Sequence, residues 1–191
     1  NIGLDEDTIA VANSSFSNQT KRISLRGGVF RKIVGGKEVS TADSAVMNII
    51  IIKMAHNPSR VYYKDSYEEG KRVSPVCWSN DSKKPDEEVR KPQAKSCHTC
   101  PNSVRGSGFG GVGTSCRLSW RVAIVLANDP EGDILELVLP SNSCFGKEEQ
   151  GKWPFKTYIQ MLANNNVSAG RIVTKMQFDP NSAKPRALFS P

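Results

Sequence analysis

Four of the five cysteines, Cys77, Cys97, Cys100 and Cys116, fall within residues 77–116, a stretch dominated by Ser, Lys, Pro and Gly. Its apolar content is too low for burial alone to fold it, so something other than a hydrophobic core must hold it. The tight pair reads Cys97-His98-Thr99-Cys100-Pro101-Asn102, a CxxC knuckle whose spacing lets two thiolates share one tetrahedral ion, and Cys77 and Cys116 bracket it at a distance. The chemistry implied is structural: four thiolates would close the coordination of one Zn2+ and leave no position for an activated water. A pair of disulfides is the competing arrangement, and unconnected thiols are the third. His98 reads as a solvent-facing spacer within the knuckle, and Cys144 as an ordinary half-buried thiol.

Compartment bears on that choice. No apolar signal-like region opens the chain, and no apolar run approaches the roughly 20 residues of a membrane span. A soluble, non-secreted protein is expected, and reducing surroundings favour metal over disulfide. The first residue is Asn rather than Met, as expected of a trimmed or processed chain, and residues 1–20 read as a polar N-terminal arm.

Signatures of catalysis are missing from the sequence. There is no GxxxxGK[ST] phosphate cradle, no HExxH and no GxSxG elbow, and the CxxC lacks the HxE partner of the zinc deaminases. The glycine-rich segment 106–113 carries no Lys-Ser/Thr end and reads as a flexible loop. Only His56 and His98 are present, and neither lies near a triad-like set. A non-enzymatic role is expected.

Charge gives the second lead. Lys and Arg outnumber Asp and Glu by 26 to 19, a formal +7, which makes a polyanion partner reasonable without requiring one. More telling is the recurrence of cations beside aromatics. Arg22, Arg26, Arg31 and Lys32 surround Phe30; Arg60 and Lys64 flank Tyr62 and Tyr63; Arg117 and Arg121 flank Trp120; Lys152 and Lys156 flank Trp153 and Phe155. Cations that neutralise phosphates and aromatic faces that stack on bases are the means of binding single strands without sequence preference. Each has a plainer role beside it. Phe30 reads more readily as core, strand alternation turns one of Tyr62 and Tyr63 inward, Trp78 is expected to pack over the cysteine loop, and Trp153 to staple a helix start. Candidate contacts are thus Arg22, Arg26, Arg31, Lys32, Arg60, Lys64, Arg117 and Arg121 for phosphates, with Tyr62 or Tyr63 and Trp120 for bases.

The elements that must position these residues are mostly strands. Arg22–Leu25, Val29–Val34 and Lys37–Val39 read as strands, the last two joined at Gly35-Gly36; Val46–Met54 reads as a buried central strand and Arg60–Lys64 as a shorter one. Beyond the cysteine segment come Arg117–Leu126 and Ile134–Leu139, then a helix from Pro154 with Phe155, Tyr158, Ile159 and Leu162 at helical spacing, and a last strand in Gly170–Phe178 before a Pro-rich tail. The expectation is a mainly β (α+β) chain: one OB-like domain over 21–191, a five- to seven-stranded barrel with residues 77–116 as a zinc-stapled insertion and one late helix.

Taken together, Lys21–Arg31, Cys77-Trp78-Ser79, the Cys97–Asn102 knuckle and Ile172–Lys175 resemble the single-stranded DNA-binding proteins of tailed bacteriophages. The pattern of barrel strands, metal segment and late helix covers most of the chain. The resemblance implies an OB-fold core with a zinc-stapled subdomain, binding of single-stranded DNA in replication, recombination or repair, and location in the cytoplasm of an infected bacterial host. It implies a phage DNA polymerase, primase-helicase or recombinase as protein partners and no membrane. Two departures stand out: some members place a histidine among the zinc ligands where four cysteines serve here, and many end in an acidic recruiting tail where this sequence reads Phe189-Ser190-Pro191. The alternative expectation is a zinc-containing module that docks on a phage polymerase or another replication or transcription complex without touching DNA.

Overall fold

The β-branched run Val46–Met54 forms an interior strand of the sheet that is half-buried rather than the buried central strand expected, with Ile49 and Ile51 buried and Val46, Asn48, Ile52 and Lys53 exposed. In the computed structural model, which describes residues 20–65 and 73–191, this strand pairs with Cys116–Leu126 on one side and Thr174–Phe178 on the other, both antiparallel. The predicted arm over 1–20 lies outside the described residues but for Thr20.

In chain order the strands are β1 (Lys21–Ser24), β2 (Arg31–Val34), β3 (Lys37–Thr41), β4 (Val46–Met54), β5 (Ser59–Tyr62), β6 (Cys77–Ser79), β7 (Cys116–Leu126), β8 (Leu135–Pro140), β9 (Thr174–Phe178) and β10 (Ala187–Ser190). They form one curled sheet in the order β10-β9-β4-β7-β8-β1-β2-β3, and β5 and β6 extend from β7 off this path. The fold is mainly β with a half-barrel sheet, as the sequence led one to expect, but it carries ten strands among the described residues rather than five to seven. Two of the extra strands left little pattern. β6 has three residues, too few for alternation to show, and β10 is a four-residue end of the Pro-rich tail, fixed by antiparallel pairing to β9. The β2–β3 hairpin turns at Gly35 (φ 56°) and Gly36 (φ 79°), a pair of positive dihedrals that glycine adopts without penalty.

One helix longer than a single turn is described, Phe155–Asn164. Pro154 stands at its N-cap, Phe155, Tyr158 and Leu162 are buried, and none of its residues lies in an apolar run long enough to cross a membrane. The ring of Trp153, just before the cap, lies 6.4 Å from that of Tyr158 in the second turn, the hydrophobic staple expected of it. Trp153 and Phe189 also exchange backbone hydrogen bonds of 2.8 Å, tying the helix start to β10. A helical turn at Ser141–Cys144, absent from the sequence pattern, is held to the same strand by the Ser143 hydroxyl, which accepts from the Ala187 N–H at 2.9 Å.

The core lies between the helix and the inner face of the sheet. Ile49, Ile51, Val122, Ile124, Leu135, Leu137 and Leu139 come from the strands, and Phe155, Tyr158 and Leu162 from the helix. Phe30 is 1% exposed and stacks on Phe178 with ring centroids 4.4 Å apart, so it is a core residue. Tyr158 places its hydroxyl 2.8 Å from that of Thr174, and both residues are fully buried. Tyr158→Phe orphans the Thr174 hydroxyl and is expected to cost about 1–3 kcal/mol, whereas Tyr158→Phe with Thr174→Val removes both polar groups and recovers most of that loss; urea unfolding of the three variants reads the cycle.

Candidate functional site

β5 pairs on both edges, and its register decides what faces what. Tyr62 stands opposite Cys77 of β6 and opposite Cys116 of β7, while Val61 stands opposite Trp78 and Arg117. Residues opposite one another share a face of a sheet, and strands lie about 4.8 Å apart. Cys77 and Cys116 therefore project from one face with Tyr62 between them, and Trp78 and Arg117 project from the other with Val61 between them.

On the first face, Cys97 and Cys100 arrive from the insertion. The Cys97 N–H donates to the Lys83 carbonyl at 2.9 Å, the Cys100 N–H donates to the Cys97 carbonyl at 3.4 Å, and a 3-10 turn at Pro101–Ser103 follows. All four cysteines line one cavity of about 20 Å³ with Arg60, Tyr62 and Ser103. That volume is about what one water-sized sphere occupies. None of the five cysteines is disulfide-bonded. No three His, Cys, Asp or Glu side chains among the described residues are drawn to the spacing of a coordination sphere, although the four thiols share the cavity. His98 is exposed, as a spacer would be.

Burial in the cavity opposes ionisation of the thiols, and a neighbouring cation offsets part of that effect. Burial pushes the Cys97 thiol up and the Cys116 thiol up to about 11, and the Arg60 guanidinium opposes both shifts. Two buried side-chain polar atoms among the described residues have no hydrogen-bond partner, Arg60 Nε and Ser103 Oγ, and both residues line this cavity. Both can donate to sulfur. Four thiolates around a divalent ion carry a net negative charge, and an unpaired guanidinium N–H with a hydroxyl beside them supplies what such a centre needs. Cys97, Cys100, Cys116 and Val89 are the buried apolar side chains of the insertion, and none belongs to the main core.

The opposite face holds a groove of about 890 Å³ lined by Val61, Tyr63, Trp78 and Val138, with the cations Arg60, Arg90, Lys91 and Arg121 set against the carboxylates Glu88 and Glu136. Arg117 and Arg121 lie four residues apart on β7 and share this face, and Val138 stands opposite Arg121. A second depression of about 620 Å³ shares Arg121, Ser59, Asn80 and Glu136 with the first and adds Lys21 and Lys53. Arg60, Trp78 and Ser79 line both the groove and the thiol cavity, so they form the wall between them.

The predicted contacts thus divide. Tyr63, Arg117 and Arg121 come together on the groove side, with Lys64 exposed beside Tyr63, and Tyr62 is the tyrosine that turns to the cysteines. Trp120 packs toward the core: its Nε1–H donates to the Ala55 carbonyl at 2.8 Å and its half-buried ring lies 5.7 Å from Phe155 and 6.2 Å from Phe145, which favours a packing role over the base stacking expected of it. Arg60 lines the groove and the thiol cavity alike, with its Nε unpartnered and its charge opposing the rise of the Cys97 and Cys116 thiols. The β1–β3 cations do not converge on the groove: Arg31 pairs with Glu38 at 3.0 Å, Arg26 lies 4.0 Å from the same carboxylate, Lys32 pairs with Asp133 at 3.0 Å, and Arg22 is exposed. Trp78, Arg90 and Lys91 were missed as groove residues. Trp78 was assigned to the cysteine loop, and Arg90 and Lys91 lie in an irregular segment where no periodicity shows a face.

No family model matches the chain, and no curated sequence or solved structure is significantly similar to it.

Lys21 and then Lys32 hold the Asp133 carboxyl below its ordinary value. A depressed folded-state pKa stabilises the fold above the ordinary carboxylate range and loses that effect as pH falls through the lowered value. Asp133→Asn is expected to lower the urea midpoint at about pH 7, and the gap from wild type is expected to close toward about pH 2.

Proposed function

We propose that this chain is a non-enzymatic, zinc-stapled protein that binds single-stranded DNA without strong sequence preference, in the manner expected of a phage replication, recombination or repair protein. The observation that carries the reading is the groove on the outer face of β5–β8, where Trp78 and Tyr63 lie among Arg121, Arg90 and Lys91. A flat aromatic face accepts any base, and neighbouring guanidinium and ammonium groups meet the phosphates that run past it. Apolar side chains dominate the floor, so bases can leave water there while the backbone stays at the charged rim. A half-barrel with a late helix is compatible with an OB-like domain, and the binding surface would be its sheet face away from the core.

Zinc belongs to the same reading. Cys77, Cys97, Cys100 and Cys116 would hold one Zn2+, with Arg60 and Ser103 donating to the thiolates. The ion would supply fixed tetrahedral geometry and a closed coordination shell, hence no catalysis. Its place is behind the groove: Arg60, Trp78 and Ser79 form the shared wall, so stapling the insertion also fixes the Trp78 platform. Residues 77–116 would then be a metal-held insertion within a single domain.

Two measurements test this. Fluorescent oligothymidine is expected to bind with a log-log salt slope of about −2 to −3 for three to four phosphate contacts; Arg121→Gln should shallow the slope by about 0.7, and Trp78→Ala should cost about 1–3 kcal/mol. Absence of binding at low salt, or affinity indifferent to salt, contradicts the proposal. Elemental analysis is expected to find one zinc per chain, lost in Cys97→Ser. Because Cys97 and Cys116 resist ionisation, zinc binding must expel their protons, so zinc affinity is expected to fall as pH is lowered.

A further inference from the structure

Beyond β5 the insertion ends in a loop that holds Phe109 almost wholly in water, at 96% exposure. The loop is closed by its own hydrogen bonds. The Gly106 N–H donates to the Gly113 carbonyl at 2.6 Å, the Gly111 N–H to the Gly108 carbonyl at 3.0 Å, and the Ser115 N–H to the Ser107 hydroxyl at 3.0 Å, while the Ser115 hydroxyl donates to the Ser107 carbonyl. At Gly108 any Cβ would sit 2.0 Å from the Val112 carbonyl oxygen, so only glycine permits this closure. A loop read from sequence as flexible is a tied one that presents an aromatic at its tip.

A lone exposed phenylalanine needs no explanation. This one helps line a second groove, of about 550 Å³, together with Tyr62, Tyr63, Lys64 and Arg117. Tyr63 also lines the Trp78 groove, so the two run on from each other across one strand. Arg117 and Arg121 share a face of β7 and supply one cation to each. Both grooves thus join exposed aromatic surface to guanidinium, the chemistry of a base above its phosphate.

We infer that Phe109 and Tyr63, with Lys64 and Arg117, form a second base-stacking subsite, so that a single strand crosses β5 from the Trp78 groove to the glycine loop. This rests on the single-strand reading of the first groove. The subsite takes nucleotide bases of any identity, because stacking on a benzene face carries no hydrogen-bond code, and it lengthens the strand segment that one protein molecule covers.

The test titrates wild type, Phe109→Ala and Phe109→Trp with oligothymidines of about 6 and about 16 nucleotides, a range set by the sites of about 4–16 nucleotides that single domains of this type occupy. Phe109→Ala is expected to weaken the longer strand by about fivefold to a hundredfold, with a smaller loss for the shorter one that the Trp78 groove accommodates alone. Phe109→Trp should restore the affinity and report the strand by quenching of the added indole. The exposed ring contributes no packing, so Phe109→Ala should retain the wild-type urea midpoint. Wild-type affinity of Phe109→Ala for the longer strand overturns the subsite while leaving the first groove standing, and equal losses for both strands overturn the extension across β5. A wild-type protein that binds neither strand overturns the underlying reading and the subsite with it.

Discussion

The double pairing of β5 is the constraint on which the rest depends. One short strand held between β6 and β7 sets Cys77 and Cys116 on one face and Trp78 and Arg117 on the other. A shift of one residue in either ladder would turn a cysteine into the groove and a groove residue into the thiol cavity, because side chains alternate with a period of two. Burial does little to prevent that shift. β6 contributes three residues, and the insertion's buried apolar side chains are Val89 and the thiols themselves. The cavity that the four cysteines share is the feature tied to one register, and an ion held there would reward only that register.

Arg60 links the two faces. Its charge lowers the cost of ionising the thiols, its Nε is buried without a hydrogen-bond partner, and its side chain also borders the groove. Arg121, Arg90 and Lys91 line the groove without lining the thiol cavity, beside the carboxylates Glu88 and Glu136. Arg26 and Arg31 share Glu38, and Lys21 and Lys32 share Asp133, so the two carboxylates offset half the charge of these four cations.

How much was legible follows from the range of each signal. β4 and β7 announced themselves through continuous apolar runs, and the helix through the spacing of Phe155, Tyr158 and Leu162, because burial writes a local period into the chain. The alternation of Tyr62 and Tyr63 likewise followed from one strand. What depended on contacts distant in sequence did not show: Trp120 sits between two cations yet is claimed by Ala55, Phe145 and Phe155, and no local pattern records those neighbours. Arg90, Lys91 and Phe109 lie in irregular backbone, where no period assigns a face. The cysteine spacing indicated that Cys77 and Cys116 belong with the knuckle but not that β5 stands between them.

The central claim is that the outer face of β5–β8, stapled from behind by the thiol centre, is where a single strand lies. Amide hydrogen exchange of the intact protein with and without oligothymidine tests it most directly. The expected result is added protection in β5, β6, β7 and the loop at 106–113, with the β1–β3 hairpin unchanged. Protection confined to that hairpin, or none anywhere at saturating oligonucleotide, would contradict it.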